Sequence, residues 1–234
     1  MNGNSNVKVE YQLVRVKGRI QVNYLADLDG LLDECGRLHG HLCPGQILGV
    51  RMAVLGCRLT GLEDPRGVDR KRLLVWAEID RCVTDAVSAV TGVRLGKRSL
   101  KFLDYGKVAA TFLNLSENRS YRIVAKEESR ELADALYPAV EDKKARQMLT
   151  YREADDSELF KVEAVSIDLD DLEKPGRPRK RINCAQCGEG VNDGRDLVDA
   201  LNRTVCRPCA FDGYYRRMDT EDTDASDKID SQSL

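Results

Sequence analysis

Residues 39–53 have the sequence HGHLCPGQILGVRMA, and this stretch sets the architecture of the larger part of the chain. Over residues 25–38, leucines recur at helical spacing, and Asp27 stands where a helix start would be capped. Proline fits the first turn of a helix, so Pro44 is suited to begin a second helix that continues to roughly Leu59. The stretch therefore predicts two successive helices with a histidine- and cysteine-containing connection between them.

Further elements follow on both sides of these helices. Strand patterns occur at residues 7–16, 73–79, 99–103, 108–113, 121–125 and 159–167. Helical patterns occur at about 83–90, 127–136 and 141–152. Helices and strands are mixed rather than strictly alternating, which predicts an α+β core domain.

Bulk composition excludes several classes of protein. The chain has 234 residues, of which 42% are hydrophobic and 32% charged, as in ordinary globular proteins. Its net charge of −2 gives no overall reason to bind a polyanion. The first residues lack the apolar core of an export signal, and no apolar run approaches the length needed to span a bilayer. We expect a soluble, cytoplasmic protein that does not engage a membrane.

Eight cysteines in a chain without an export signal indicate reduced thiols, used as metal ligands or reactive groups rather than as a disulfide framework. Four of them form two C-x-x-C pairs near the end of the chain: Cys184, Cys187, Cys206 and Cys209. This spacing lets both thiolates of each pair reach one tetrahedral zinc ion. The sequence therefore predicts a small zinc-ribbon or zinc-finger module held by a structural zinc.

Composition also divides the chain into segments. Residues 1–172 form the core, and residues 173–181, which carry five basic side chains, one acidic side chain, two prolines and a glycine, are predicted to be a linker. The zinc module covers 182–217. The acidic segment 218–234 is polar and poor in aromatic residues, which predicts a disordered tail.

A second candidate metal site lies in the core. The chain has only two histidines, His39 and His41, which lie four and two positions before Cys43. If this segment is extended, alternate side chains point to one side, so the two imidazoles and the thiol would converge. Cys43 and Cys82 each precede a predicted helix, whose N-terminus favours a thiolate. Together these four residues would suit zinc or another transition metal.

Simpler interpretations of these residues stay open. Free cysteine is often a small buried hydrophobe, so Cys43 and Cys82 could serve only in packing. We interpret Cys35 and Cys57 in that way, because both lie at apolar helical positions. The histidines could also bind loop carbonyls.

Three motifs in the same order resemble the E-subunit family of formylmethanofuran dehydrogenase: HGHLCPGQILGVRMA (39–53), DRCVTDAVSAVTG (80–92) and SLKFLDYGKVAATF (99–112). The resemblance covers about residues 25–165. It implies an α+β core that often forms a homodimer. It also relates the chain to accessory subunits of a molybdenum or tungsten enzyme, although the sequence contains no iron–sulfur ligand pattern that would indicate dehydrogenase activity of its own.

The resemblance also assigns residues. It implies a metal-associated site made by His39, His41, Cys43 and Cys82, with Asp85 nearby. From the third motif it implies that Asp104, Gly106 and Lys107 line the same cleft. An ordinary turn and a solvated lysine are the alternatives for these last three residues.

Residues 184–209 resemble a DksA/TraR-type zinc finger, in the order C-x-x-C-G followed by R-P-C-A. That resemblance implies a docking surface for a protein partner, in the setting of the transcription machinery.

Three functional hypotheses follow. The first is a dimeric metalloprotein, in which the terminal zinc is structural and the core site serves metal sensing, metal delivery or small-ligand chemistry. The second is a regulatory zinc-finger protein whose basic linker contacts nucleic acid or RNA polymerase. The third is a thiol enzyme with Cys43 as nucleophile and His41 or His39 as base, in which Cys82 and Lys107 are further catalytic candidates.

Overall fold

A computed structural model describes residues 13–16, 19–22, 24–211 and 213–215. The described residues divide into two compact units. The larger unit extends to residue 169 and includes 174–176, and the smaller unit comprises 170–173 and the residues from 177 on. Residues 7–12 and 218–234, for which the sequence predicts strand and disorder, lie outside the described part.

Two helices follow each other at the start of the larger unit. Helix α1 spans Leu28–His39, and the Asp27 side chain accepts a hydrogen bond from the Gly30 amide, as the sequence predicts. Helix α2 spans Pro44–Thr60. It is buried along most of its length because it packs against several elements of the larger unit.

A five-stranded sheet forms the other layer. Its strands are β3 (Leu73–Ala77), β4 (Leu100–Phe102), β5 (Ala109–Asn114), β6 (Arg119–Ala125) and β7 (Phe160–Ala164). Their order in the sheet is β4-β3-β5-β6-β7. Strands β3 and β4 are parallel, whereas the other neighbours are antiparallel. The parallel pair needs a crossover connection, which helix α3 (Cys82–Thr91) supplies.

Three further helices lie between β6 and β7. They are α4 (Glu128–Leu136), α5 (Lys143–Glu153) and the short α6 (Asp156–Leu159). Arg51 of α2 holds this region in place, because its guanidinium donates to three backbone carbonyls at the end of α5 and forms an ion pair of 2.8 Å with Asp156. These contacts fix α5 against α2.

The core lies between the helices and the sheet. Strand β5 is buried at every position, and Phe112 of this strand faces Gly56 of α2 so closely that a Cβ there would lie 2.5 Å from the ring. Cys35 and Cys57 are buried in this core, as predicted. The mixed helices and sheet confirm an α+β fold. Among the described residues, no helix combines the length and apolar character required to cross a bilayer.

Three small hairpins complete the described part of the chain. Strands β1 (Leu13–Val16) and β2 (Arg19–Val22) pair antiparallel before α1. In the smaller unit, β8 (Arg181–Asn183) pairs with β9 (Gly190–Asn192). There, β10 (Asp196–Val198) pairs with β11 (Thr204–Cys206), which leads into the short helix α7 (Arg207–Ala210).

Candidate metal centres and pocket

The core histidines and Cys43 converge where α1 meets α2. One ligand atom each from His39, His41 and Cys43 lies within 4.8 Å of the other two. The two imidazole rings are 5.0 Å apart between centroids. His41 is exposed, His39 is half-buried and Cys43 is buried, so the group opens to solvent on the histidine side.

The backbone reaches this convergence by a route other than the extended segment that the sequence analysis assumed. His39 is the last residue of α1, and Gly40 ends the helix in the left-handed region with φ of 91°. A residue with a Cβ adopts that region only at a cost, so glycine permits the chain to reverse there. Cys43, which caps α2 with φ of −139° and ψ of 165°, is extended. The three side chains meet because the chain turns a corner.

Cys82 comes to the same place from a different element. It is the first residue of α3, whereas the sequence predicts a helix that begins at about Val83, directly after Cys82. A Cβ placed on Gly45 would lie 3.9 Å from the sulfur of Cys43 and 3.9 Å from that of Cys82, so the two thiols lie near the same glycine. Cys82 is nevertheless outside the group whose ligand atoms all lie within 4.8 Å of one another. It is therefore a neighbour of Cys43 rather than a full member of that group.

Burial raises the pKa of the Cys82 thiol, and a hydrogen bond with the Cys43 side chain raises it further. Two neighbouring thiols without a cation thus favour the protonated form at Cys82. A bound metal ion would reverse that preference, because thiolate is the form that coordinates.

Small residues allow the two cysteines to approach. A Cβ on Gly49 of α2 would lie 2.6 Å from the Ala86 Cβ and 2.6 Å from the Val83 carbonyl oxygen, so α2 and α3 touch at backbone distance. Gln46, which is fully buried, donates from Nε2 to the Cys82 carbonyl oxygen at 2.7 Å. These contacts fix the start of α3 against the start of α2.

Asp85 lies one turn into α3. Its carboxylate is 3.0 Å from Nδ1 of His39. A carboxylate on one ring nitrogen orients the imidazole and leaves the other nitrogen available to a metal ion. The proximity of Asp85, which the family resemblance implied, is therefore a specific contact to a candidate ligand.

Part of the third motif forms an exposed turn. Asp104 and Gly106 form an exposed turn, in which the Asp104 carboxylate accepts from the Gly106 amide and Gly106 has φ of 64°. Lys107 is exposed, and its backbone amide donates to the Glu78 carbonyl. This turn reverses the chain between β4 and β5, in keeping with the alternative of an ordinary turn, and the assignment of the three residues to the cleft stays a prediction. Val108, which follows this turn in the motif, lines a pocket.

That pocket adjoins Cys82 and has a volume of about 290 Å³. Its walls come from the starts of α2 and α3, the end of β6, α4 and α5: Pro44, Gly45, Leu48, Ile79, Arg81, Cys82, Val83, Val108, Ala125, Lys126, Glu127, Ser129, Arg130, Gln147 and Tyr151. The sequence analysis identified neither this pocket nor Gln46. Their residues are scattered along the chain, and only the position of Gln46 directly after HGHLCPG offered a signal.

The four cysteines of the smaller unit also converge. Their sulfurs all lie within 4.8 Å of one another, and those of Cys187 and Cys206 are 3.8 Å apart. The first pair lies in the turn between β8 and β9, and the second pair lies at the end of β11 and in α7. For a Zn–S bond of about 2.3 Å, tetrahedral geometry requires sulfurs about 3.8 Å apart. The donor set therefore fits zinc.

Backbone amides favour the thiolate form of one member of this group, Cys184, whereas the neighbouring thiols raise the pKa of Cys209. The sulfur of Cys184 accepts from the amides of Cys187 and Cys206, at 3.5 and 3.3 Å, and from that of Gln186. These amides, that of Cys187 most strongly, lower the pKa of the Cys184 thiol to about 6. A thiolate at neutral pH is the form that zinc requires.

The core group also has donor atoms of a type and spacing that fit a transition metal. Imidazole nitrogen and thiolate sulfur are borderline to soft donors that suit zinc, copper, iron or nickel. Three donors lie within reach of one ion, and Cys82 is the neighbouring fourth. With three protein ligands, one coordination position of a tetrahedral ion would stay open.

The chain is similar to a probable S-adenosyl-L-methionine-binding protein of Archaeoglobus fulgidus, with 34% identity over 110 residues, or 47% of this chain and 30% of that protein. It therefore spans under a third of the length of that relative.

A solved structure has a similar fold. It is that of a tungsten formylmethanofuran dehydrogenase FmdE-like protein from Syntrophus aciditrophicus, with a TM-score of 0.54 and 21% identity. The match covers 81% of this chain and 95% of that chain. The family described as "FmdE, Molybdenum formylmethanofuran dehydrogenase operon" matches residues 38–161, which include all four candidate ligands of the core. The chain thus belongs to the FmdE family.

Proposed function

We propose that the core is a metal-binding domain whose centre is made by His39, His41, Cys43 and Cys82. The observation that supports this most directly is the convergence of His39, His41 and Cys43, in a chain that contains no other histidine. Two elements far apart in sequence, the α1–α2 corner and the start of α3, supply the donors. The bound ion is a transition metal such as zinc.

The centre serves a function that needs access to solvent. Exposed His41 leaves one side of the group open, and a site with an available coordination position is the arrangement used in catalysis and sensing. We therefore assign the core to small-ligand chemistry, metal sensing or metal delivery. The family description supports a relationship to an accessory subunit of a formylmethanofuran dehydrogenase and does not by itself support dehydrogenase activity in this chain.

The smaller unit has a different role in this proposal. Its four sulfurs would complete a tetrahedral site without an open position, which is typical of structural zinc. In this proposal the module is a docking element for a protein partner, as its likeness to DksA/TraR-type fingers suggests. Two of its cations are paired with carboxylates, Lys180 with Asp196 and Arg203 with Asp199. These ion pairs reduce the positive charge available to nucleic acid.

A thiol nucleophile is the weaker alternative for the core. Cys43, the nucleophile of that hypothesis, is buried, and reactive cysteines are usually partly exposed. Nucleophilic cysteines also have a lowered pKa, whereas burial and the Cys43 thiol raise the pKa of Cys82, the other candidate thiol. The Asp85 carboxylate orients His39, and that contact is equally expected of a metal ligand.

Cobalt substitution tests the proposal. Cobalt(II) is added anaerobically to the full chain with its terminal zinc in place, and thiolate-to-cobalt absorption is recorded. We expect the absorption in the wild type and in Cys35→Ser, whose cysteine is buried in the core outside the group, and its loss in Cys43→Ser. Equal absorption in Cys43→Ser, or none in the wild type, would refute the core centre.

A further inference from the structure

The pocket beside Cys82 has the character of a binding site for a small organic anion. Much of its wall is apolar, formed by Leu48, Ile79, Val83, Val108, Ala125 and Tyr151. Its volume of about 290 Å³ is at the lower end of the range for small-molecule pockets. The apolar wall would take a small hydrocarbon or aromatic body.

The charged groups at the pocket are mostly cations. Arg81, Lys126 and Arg130 line it, together with one carboxylate, that of Glu127. Arg130 forms an ion pair with Glu127 at 3.3 Å, and Lys126 donates to the Ser157 carbonyl oxygen at 2.7 Å. These contacts occupy two of the three cations and neutralise the acid.

Arg81 differs from the other two cations. It is exposed, and within the described part of the chain its guanidinium has neither a hydrogen-bond partner nor an ion-pair partner. It immediately precedes Cys82, so its charge lies next to the residue that the pocket shares with the metal centre. A planar guanidinium recognises carboxylate or phosphate oxygens through paired hydrogen bonds.

The backbone adds to the positive character. Pro44 and Gly45 begin α2, Cys82 and Val83 begin α3, and all four line the pocket. The positive ends of two helix dipoles, from helices of 17 and 10 residues, therefore face the same space as the cations. A neutral ligand would gain nothing from this field, and a cation would be repelled.

We propose that this pocket binds a small organic anion, with its apolar body against Leu48, Val108 and Tyr151 and its anionic group at Arg81. The inference rests on the proposed function in that the ligand would lie beside the metal centre through Cys82. Apart from Cys82, the side chains that line the pocket take no part in the proposed metal centre. Anion recognition and metal binding can therefore be measured separately.

Three compounds of one shape supply the test: benzoate, uncharged benzamide and cationic benzamidine. Each is titrated into the isotopically labelled full chain, with and without added metal, and the amide resonances of Gly45, Val83 and Ala125 are followed by NMR. We expect benzoate to shift these resonances and to bind about tenfold more tightly than benzamide, since a charge-assisted hydrogen bond is lost. Benzamidine should bind more weakly still.

A variant assigns the effect to Arg81. We expect Arg81→Gln to weaken benzoate about tenfold and to leave benzamide unchanged, whereas Arg70→Gln, another exposed arginine outside the pocket, leaves both unchanged. Equal binding of benzoate and benzamide, an equal effect of the two variants, or no shift near the pocket would overturn the proposal. Absence of a cobalt spectrum with benzoate binding intact would refute only the metal centre.

Discussion

Nδ1 of His39 lies 3.0 Å from Oδ2 of Asp85, so the last residue of α1 is held by the first turn of α3. The carboxylate favours a proton on Nδ1, which leaves Nε2 with the lone pair that a metal ion needs. The contact joins the two stretches of sequence that supply the core ligands. It therefore provides the first test of whether they act together.

Replacing Asp85 should weaken the core centre. We expect Asp85→Asn to lower the affinity for the core metal by about 10- to 100-fold, because the imidazole loses its orienting partner. Competition with a chromophoric chelator measures the affinity. Asp80→Asn, an exposed aspartate just before the start of α3, is the matched control and should change nothing. Equal affinities in Asp85→Asn and wild type would show that the His39–Asp85 hydrogen bond plays no part in metal binding.

The close contact of α2 with α3 should not tolerate a side chain. In Gly49→Ala the new Cβ would meet the Val83 carbonyl at 2.6 Å, and we expect a stability loss of about 1–3 kcal/mol. That loss opposes the gain of about 0.5–1 kcal/mol in helix propensity. Urea unfolding measures the net change. Gly96→Ala, whose Cβ has no heavy atom within 4 Å, should stay near wild type. A stabilised Gly49→Ala variant would contradict the packing described above.

Cys57 should make the core sensitive to alkali. Burial, followed by the charge of Asp69, raises the pKa of the Cys57 thiol to about 12, whereas an exposed thiol titrates at about 8.5. The unfolded chain therefore loses this proton first. The contribution of the buried, protonated thiol to the free energy of unfolding is therefore complete below about pH 8.5 and declines as the pH rises towards 12. Urea unfolding at pH 7.5 and 10 should show a smaller decline in Cys57→Ala than in wild type. An equal decline in both proteins would assign the alkaline sensitivity to other groups.

The smaller unit should depend on its cysteines. We expect Cys184→Ala to remove the terminal zinc and to unfold residues 181–210, since so short a segment gains much of its folding free energy from the metal. Hydrogen exchange measured by mass spectrometry would show fast exchange there and unchanged protection in the β5 and β6 strands. Retained protection of the small unit in Cys184→Ala would mean that the unit folds without the ion.

Local signals in the sequence predicted much of the larger unit. Asp27 caps α1, Pro44 begins α2, and Gly92 ends α3 with φ of 72°, because each residue satisfies a requirement of its own backbone position. The positions of the candidate ligands were predicted for a different reason. His39 and His41 lie four and two positions before Cys43, so a tight turn of the chain there can bring the three side chains together.

What the sequence could not show depends on contacts between distant elements. The Gln46 bond to the Cys82 carbonyl and the pocket beside it arise from the packing of α2 on α3, β6 and α5. The assignment of Asp104 and Lys107 to the cleft came from motif order alone, and their turn faces solvent. The homodimer and the domain boundaries inferred from sequence stay predictions.

Counting metal atoms tests the central claim most directly. The full chain is purified anaerobically, with zinc supplied, and analysed for elements beside the double variant Cys43→Ser/Cys82→Ser and the control Cys35→Ser. We expect two metal atoms per chain in wild type and control, and one in the double variant, with circular dichroism unchanged. One atom per chain in all three proteins would show that the terminal cysteines bind the metal alone and that the core group has another role.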